Sequence, residues 1–384
     1  MKKYLVLFII FCCCSGEKKT NNYHIIDLLP TPEVETVNLS EIAVDAKYIP
    51  LETKENSLIG LIWEIRSTDE YFYISTLYEI ICFDKAGRYE CKLSKYGRGP
   101  DEYLHIYSFD VSSDNNYIAI KTKSALVLYK RDGNSFNFQR RMDLNPNANK
   151  VDFTPDQNNI LLSYHTELGI EPFRYLLLKI NGDTLSSVPN QFLIPHTGAG
   201  YGSLSENISF LNNNALHFKH QFNDTIYMVD RFNKIVPYLV LNSGGRIATL
   251  EENADGNYYA KHVTEFLSMY NLMETSRFIF YEFYWEGSTR FIIYDKVQNT
   301  RKRIIKPTWL KDDLSGGLNF KPLVCYGETI ISWREALSLK QHIASEIFKN
   351  SVVIHPEKKK ELENLANSLN ETDNPVLIIV TPKK

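Results

Sequence analysis

The sequence predicts an all-β fold, a six-bladed β-propeller with a small helical insertion in its last blade, on three observations. A polar Asp/Asn turn followed by an apolar strand occurs six times. The strands begin at Tyr71, Tyr117, Ile160, Ala215, Phe278 and Ile330. These starts lie 46, 43, 55, 63 and 52 residues apart, near the roughly 40–50 residue period of a propeller blade. Tyr (24) and Phe (21) are abundant and Met (5) is scarce, which suits half-buried strands.

Residues 1–14 are predicted to be a lipoprotein signal peptide. Two lysines follow Met1, and the apolar run from Tyr4 to Phe11 is too short to cross a bilayer. The next residues, Phe-Cys-Cys-Cys-Ser-Gly, resemble a loose bacterial lipobox in which Cys14, or Cys13, would carry the lipid. The alternative is a plain secretory signal with incidental cysteines. The lipoprotein interpretation places the protein in the cell envelope, on the periplasmic side or at the cell surface.

The rest of the chain divides into a tether and the propeller. Residues 15–34 are polar and are predicted to be a tether. Residues 35–384 are predicted to form the propeller. In most units a further strand ends in a charged hairpin turn, which is typical of tight β-turn chemistry. These hairpin segments are residues 79–87, 125–133, 175–183, 225–233 and 290–298.

The sixth unit lacks this hairpin, and both chain termini are predicted to complete it. Residues 334–370 carry apolar side chains at three- and four-residue spacing, which predicts helices inserted in the last blade. The apolar run Val376 to Val380 returns as a strand beside Thr329 to Trp333. The segment Lys47 to Glu52 is expected to be the outer strand, so that the ring closes without an open sheet edge.

Cys82 and Cys91 flank a hairpin turn, so they are expected on neighbouring strands. In an oxidising envelope they would form a disulfide if their side chains share a face. A register change of one residue separates them, and two buried thiols are the favoured alternative.

Several segments resemble the six-bladed β-propeller lipoproteins of Bacteroidetes, a family of the NHL-like propeller type. The resemblance rests on residues 49–53, 81–87, 97–103 and 373–377, of which Gly-Arg-Gly-Pro-Asp-Glu-Tyr at 97–103 is the most specific. It covers the whole mature chain and implies a secreted, lipid-anchored propeller. It implies no substrate, because members of the family mostly have no assigned reaction.

The segment around Arg98 is the candidate ligand site. It connects two blades, and Gly97 and Gly99 allow backbone angles that other residues avoid. The predicted contacts are an aromatic platform, a forked cation and a carboxylate. These residues are Tyr96, Arg98, Glu102 and Tyr103. The alternative is that Glu102 and Tyr103 only satisfy main-chain groups between blades.

Other kinds of site find little support. His217 and His220 are three residues apart in a predicted strand and therefore point to opposite faces, so no metal site and no cofactor are predicted. The glycine-rich residues 198–202 open no helix and are expected to be a loop rather than a phosphate site. The net charge of −3 gives no electrostatic footprint for nucleic acid.

We expect a lipid-anchored binding or scaffold module whose partner is a glycan, a peptide or an envelope protein. The alternative is a propeller lyase or hydrolase with acidic residues in the central funnel, although no catalytic motif selects a particular pair. A cluster of arginine, histidine and carboxylates with shifted pKa values in the funnel would favour the enzyme.

Overall fold

The structure, a computed structural model, describes residues 24–144, 148–155, 158–165, 171–190, 207–305 and 309–384. The predicted signal peptide, the lipidation candidates Cys13 and Cys14 and the glycine-rich loop at 198–202 lie outside this part of the chain. Among the described residues, no helix is both long and apolar enough to cross a bilayer.

The described chain is a propeller-like assembly of β-strands with few helices. The strands are β1 (His24–Asp27), β2 (Glu33–Val34), β3 (Val37–Asn38), β4 (Ala43–Pro50), β5 (Glu64–Ser67), β6 (Tyr71–Ser75), β7 (Ile80–Asp84), β8 (Tyr89–Leu93), β9 (Ser108–Val111), β10 (Tyr117–Lys121), β11 (Ala125–Asp132), β12 (Ser135–Asp143), β13 (Ala148–Phe153), β14 (Ile160–Tyr164), β15 (Phe173–Leu178), β16 (Thr184–Pro189), β17 (Asn207–Asn212), β18 (Ala215–His220), β19 (Thr225–Val229), β20 (Ile235–Asn242), β21 (Ser268–Glu274), β22 (Phe278–Trp285), β23 (Ser288–Asp295), β24 (Thr300–Ile305), β25 (Leu310–Lys311), β26 (Val324–Tyr326), β27 (Thr329–Arg334) and β28 (Val376–Pro382). The helices are α1 (Leu39–Ile42), α2 (Leu250–Ala254), α3 (Gly256–His262), α4 (Ala336–Ala344), α5 (Glu346–Lys349) and α6 (Pro356–Ser368), with a 3-10 turn at Glu55–Ser57.

Antiparallel pairing of consecutive strands builds the sheets. Three sheets have four strands each, β5–β8, β9–β12 and β13–β16, and β21–β24 carry β2 as a fifth strand. The largest sheet has nine strands in the order β1-β20-β19-β18-β17-β26-β27-β28-β4, and β3 pairs with β25. The halves of the nine-stranded sheet meet at one parallel residue pair, Leu211 with Tyr326. Five of these sheets have four or more strands and the sixth has only two, so the sheets do not confirm the blade count of six expected from the sequence.

The closure expected from the sequence is observed. Strand β28 pairs with β27, with Ile330 opposite Val380, and on its other edge with β4, with Ile378 opposite Tyr48. Helices α4, α5 and α6 occupy the connection between β27 and β28. Because β28 joins strands from both ends of the chain, it removes an open edge from the ring.

The chain from residue 24 to residue 34 does not match the predicted tether. Strand β1 pairs in parallel with β20, and β2 pairs in parallel with β24. Ile26 and Leu28 are buried among the apolar side chains of β20 and β22. In this short segment buried apolar residues alternate with exposed ones, which is enough to add an outer strand to an existing sheet. The prediction of a tether rested on the overall polarity of the segment and did not take this alternation into account.

The connections between strands alternate between two faces of the ring, because successive strands in each sheet are antiparallel. One face carries short turns such as the one between β7 and β8, and we call it the turn face. The opposite face carries the connection from β8 to β9 and the helices between β27 and β28. We call it the loop face.

Candidate functional site

The first strand of each antiparallel series borders one central cavity of about 470 Å³. Its lining includes residues of β5, β9, β13, β17, β21 and β26. The aromatic side chains among them are Trp63, Tyr107, Phe153, Phe210, Tyr270, Tyr326 and Trp333. The cavity therefore combines apolar ring surface with charged groups, a combination that ligand pockets commonly show.

Arg66 is the centre of the charged groups in this cavity. In β5 the side chains alternate, so Ile65 packs in the core while Glu64 and Arg66 share the other side of the strand. The Arg66 guanidinium lies 2.6 Å from the Glu64 carboxylate and 3.0 Å from that of Asp110 in β9. It also lies 3.7 Å from the carboxylate of Asp152 in β13. One cation therefore joins three successive sheets.

The same carboxylates satisfy main-chain groups of the neighbouring sheet. Glu64 Oε2 accepts a hydrogen bond from the N–H of Phe109 at 3.1 Å, and Asp110 Oδ2 accepts one from the N–H of Phe153 at 2.6 Å. Strands β5, β9 and β13 are edge strands of their sheets, and their inward N–H groups have no partner strand. These acidic side chains therefore connect sheets as well as surround the cavity.

Burial and neighbouring charges shift the pKa values of this cluster. Burial, together with the nearby Asp152 carboxylate, raises the pKa of Asp110 to about 7 in spite of Arg66. Burial tends to lower the pKa of Arg66, but Glu64, Asp110 and Asp152 outweigh it and hold that pKa above its usual value. The guanidinium thus stays charged, and the raised pKa of Asp110 falls in the neutral range.

Two residues that line the cavity each carry a buried acceptor atom that has no partner among the described residues. Asp152 Oδ1 accepts a hydrogen bond from the Ser209 hydroxyl, but Asp152 Oδ2 has no partner among the described residues. Asn207 donates to Asn149 and to the Tyr164 carbonyl, and its own Oδ1 is equally unpaired within the described chain. Both atoms can accept a hydrogen bond from a hydroxyl or an amino group.

The loop around Arg98 leaves β8 on the loop face. The structure brings Arg98, Glu102 and Tyr103 around a second cavity of about 260 Å³. Glu102 Oε2 accepts a hydrogen bond from the Gly99 N–H at 2.7 Å and occupies the space where a side chain at Gly97 would begin. The Tyr103 side chain is buried, and its hydroxyl donates to the Leu93 carbonyl. Glu102 and Tyr103 thus hold the loop together, whereas Arg98 is exposed. Ligand contact by any of the four predicted residues stays a prediction.

Exposed aromatic rings connect the two cavities along the loop face. Tyr96 contacts Tyr78 with ring centroids 5.6 Å apart, and Tyr78 lies 5.4 Å from His105. His105 lies 6.4 Å from Tyr107, whose carbonyl accepts a hydrogen bond from the Trp63 indole. We call this row the aromatic track. Tyr107 lines both cavities, so the track runs from the Arg98 loop to the mouth of the central cavity.

The exposure of the track is unusual for such large side chains. Tyr96, Tyr78, Tyr107 and Trp63 are each between 48% and 59% exposed. Lys121 lies under Tyr107, with its Nζ 5.0 Å from the ring centroid, and burial lowers the pKa of this lysine to about 8. Contiguous exposed apolar surface on a soluble protein usually marks a binding site.

Sequence reasoning identified only one end of this site. It selected Tyr96 and Arg98 from the glycine-flanked loop, but it missed Trp63, Tyr78, Arg66 and the acidic residues around Arg66. These residues stand at strand ends and in short connections without a motif. Only the repeat itself, which places every first strand beside the axis, was available to point to them.

The remaining candidates have contacts of ordinary structural kinds. His217 stacks on Phe210 and contacts Tyr238, and burial lowers its pKa to about 4. Cys82 and Cys91 lie directly opposite each other on β7 and β8, and both are buried free thiols.

Comparisons with known proteins place the chain in a family. The model of a family described as a domain of unknown function, DUF4934, matches residues 24–381. A Bacteroides fragilis protein provisionally described as exported is similar in structure, with a TM-score of 0.73 and 21% identity over 94% of this chain and 100% of that chain. A DUF4221 family member from Bacteroides vulgatus gives a TM-score of 0.51 and 15% identity over 92% of this chain and 99% of that chain. A search of curated proteins finds no match. The solved structures support the fold, and the family match shows that the chain belongs to the DUF4934 family.

Proposed function

We propose that this protein is an exported, lipid-anchored, six-bladed propeller that binds an extended glycan chain on its loop face. The observation that carries the proposal is the aromatic track between the Arg98 loop and the central cavity. Sugar rings have apolar faces that stack on aromatic side chains, while their hydroxyls hydrogen-bond to polar groups. A row of rings offers successive platforms to a chain of sugars, and the central cavity at one end of the row is lined by polar as well as aromatic residues.

Six blades are supported by the arrangement of the first strands. Six of them, β5, β9, β13, β17, β21 and β26, border the same cavity. The nine-stranded sheet then counts as two blades, because a single residue pair joins β17 to β26. Antiparallel ladders of at least three residue pairs join β17 through β20 in one half and β26, β27, β28 and β4 in the other. On this count the N-terminal strands β1 and β2 are outer additions to two of the blades.

Binding fits the central carboxylates better than acid-base catalysis does. The raised pKa of Asp110, which follows from burial, would suit a general acid. However, Asp110 and Glu64 both accept hydrogen bonds from main-chain N–H groups and both face Arg66. Their geometry thus serves to connect the sheets, and we assign the ligand contacts to the aromatic track instead.

The direction of β1 supports a particular orientation at the membrane. Strand β20 runs from the turn face toward the loop face, and β1 is parallel to it with His24 opposite Leu239. Followed toward the N-terminus, β1 therefore leads to the turn face. Cys14 is ten residues before His24, a separation of at most about 36 Å. In this proposal the turn face lies toward the membrane and the loop face, with the aromatic track, points away from it.

A glycan array tests the proposed function. The full chain is applied to the array, and so is the double variant Trp63→Ala/Tyr107→Ala. We expect the wild type to retain at least one class of glycan, and the variant to bind it about tenfold or more weakly, because two stacking contacts are lost. The control is Phe232→Ala, which removes an aromatic ring that is 65% exposed on the turn face. A wild type that retains no glycan, or a double variant that binds like the wild type, would contradict the proposal.

A further inference from the structure

The cavity beside the Arg98 loop is rich in positive charge. Three cationic residues line it, Arg98, Lys123 and Arg141, together with one carboxylate, that of Glu102. The Glu102 carboxylate faces Gly97 and accepts the Gly99 N–H, so its oxygens are directed into the loop. Among the charged residues of this lining, cations therefore outnumber carboxylates.

The main chain holds one of these cations, Arg141, in place. Arg141 in β12 donates to the main-chain carbonyl of Glu102 at 3.1 Å, which fixes its guanidinium at the wall of the cavity. Arg98 is exposed and makes no ion pair with any described residue. Forked guanidinium groups are well suited to carboxylate and sulfate oxygens, because two parallel hydrogen bonds form at once.

The cavity also has a hydroxyl-bearing residue, Ser124, and a connection to the track. The hydroxyl of the neighbouring Thr122 instead donates to the Ala125 carbonyl. His105 and Tyr107 belong both to this lining and to the aromatic track. A ring that stacks on Tyr107 would therefore have the cationic cavity beside it.

From this arrangement we infer that the cavity lined by Arg98, Lys123 and Arg141 binds an anionic substituent, a carboxylate or a sulfate ester, carried by the glycan on the aromatic track. The inference rests on the proposed function and narrows it to acidic glycans. The track supplies the stacking surface for the sugar rings, and the cavity selects those that carry a charge.

The test uses matched pairs of polysaccharides that share a backbone, one member of each pair carrying an anionic group that the other lacks. The first pair is oligogalacturonate and its methyl ester, and the second is dextran sulfate and dextran. Affinities of the full chain for all four are measured by isothermal titration calorimetry. We expect the anionic member of at least one pair to bind about tenfold or more tightly than its neutral partner, since a charge-assisted contact is gained. The pair that shows the preference identifies the anion as carboxylate or sulfate, and added salt should reduce the preference.

Two variants separate this cavity from general electrostatic attraction. In Arg98→Gln/Lys123→Gln the ratio of the affinity for the anionic member to that for the neutral member should fall toward one. The affinity for the neutral member should stay the same. The control Arg88→Gln removes an exposed arginine of the first blade on the turn face and should leave the preference unchanged. Equal affinity for both members of each pair, or a preference that survives the double substitution, would overturn the inference. If glycan binding on the array depends on Trp63 and Tyr107, but the anionic and neutral polysaccharides bind with equal affinity, only the inference about the anionic substituent fails. If the loss of Trp63 and Tyr107 has no effect on glycan binding, the proposed function fails.

Discussion

The Nε of Arg66 lies 3.0 Å from Oδ1 of Asp110, and this contact joins the first strands of two successive sheets. Asp110 also accepts a hydrogen bond from the next sheet through the N–H of Phe153. A carboxylate with two such partners would ordinarily have a low pKa, yet burial and the neighbouring Asp152 raise the pKa of Asp110 to about 7. The residue thus couples the contact between sheets to pH.

Replacing Asp110 with Asn should flatten the pH dependence of stability. The folded-state pKa of about 7 is above the value of about 3.9 for an unfolded aspartate, so the folded protein binds this proton more tightly. The resulting stabilisation is complete below about pH 4 and is lost as the pH rises through 7. Denaturant unfolding should therefore show a wild-type free energy of unfolding that falls between pH 5 and pH 8, and a smaller fall in Asp110→Asn.

The control for this experiment is Asp84→Asn. Burial opposes the shift, but hydrogen bonds from Arg88 lower the pKa of Asp84, so its contribution to stability is lost only in acid. This variant should keep the wild-type slope between pH 5 and pH 8. An Asp110→Asn profile parallel to that of the wild type would show that Asp110 does not titrate in this range.

Asn374→Ala should destabilise the ring closure. The buried Asn374 side chain accepts the N–H of Ile59 and donates to the carbonyls of Glu52 and Ser57, so it links the last strand to the segment after β4. The substitution leaves these groups without partners and should lower the free energy of unfolding by about 2–4 kcal/mol. The exposed Asn350→Ala should change it by less than about 0.5 kcal/mol. Similar effects of the two substitutions in chemical denaturation would contradict the role of Asn374.

The sequence predicted the strands that belong to a repeated pattern. It did not predict features that depend on individual contacts between residues distant in the chain. The Asp/Asn turn and the strand after it recur often enough to place β6, β10, β14, β18, β22 and β27, and the apolar end of the chain predicted β28. Strands β1 and β2 were missed because each is short and gains stability only from the sheet beside it. Arg66 and its carboxylates were missed because they belong to three sheets that are distant in sequence. Glu102 and Tyr103 were predicted as ligand contacts because they lie in the loop around Arg98, yet their side chains make contacts within that loop and with the end of β8.

Replacing Cys12, Cys13 and Cys14 together should abolish lipid attachment. Their position after a short apolar run resembles a lipobox. Metabolic labelling with a palmitate analogue should mark the wild type and leave the triple variant unmarked, soluble and folded. A variant with only Cys82 and Cys91 replaced is the control and should remain labelled, because these thiols are buried in the propeller. Label that persists in the triple variant would exclude this site of lipidation.

A fluorophore on the turn face should lie nearer the membrane than one on the loop face. Phe232→Cys and Tyr96→Cys place labels at exposed positions on the turn face and the loop face respectively. With the lipidated protein in vesicles that contain a headgroup quencher, the label at 232 should be quenched more strongly than the label at 96. The native thiols at 82, 91 and 325 are buried and should remain unlabelled. Stronger quenching at 96 would reverse the proposed orientation.

The dependence of affinity on glycan length is the sharpest test of glycan binding by the aromatic track, because the track is a row of platforms rather than a single pocket. Oligosaccharides of increasing length, prepared from a glycan that the array retains, are titrated into the full chain. Affinity should rise with each added sugar until the track from Trp63 to Tyr96 is covered. In Tyr78→Ala/Tyr96→Ala, affinity should stop rising at a shorter length. If a monosaccharide binds as tightly as the longest oligosaccharide and the double substitution has no effect, the aromatic track is not a glycan-binding surface.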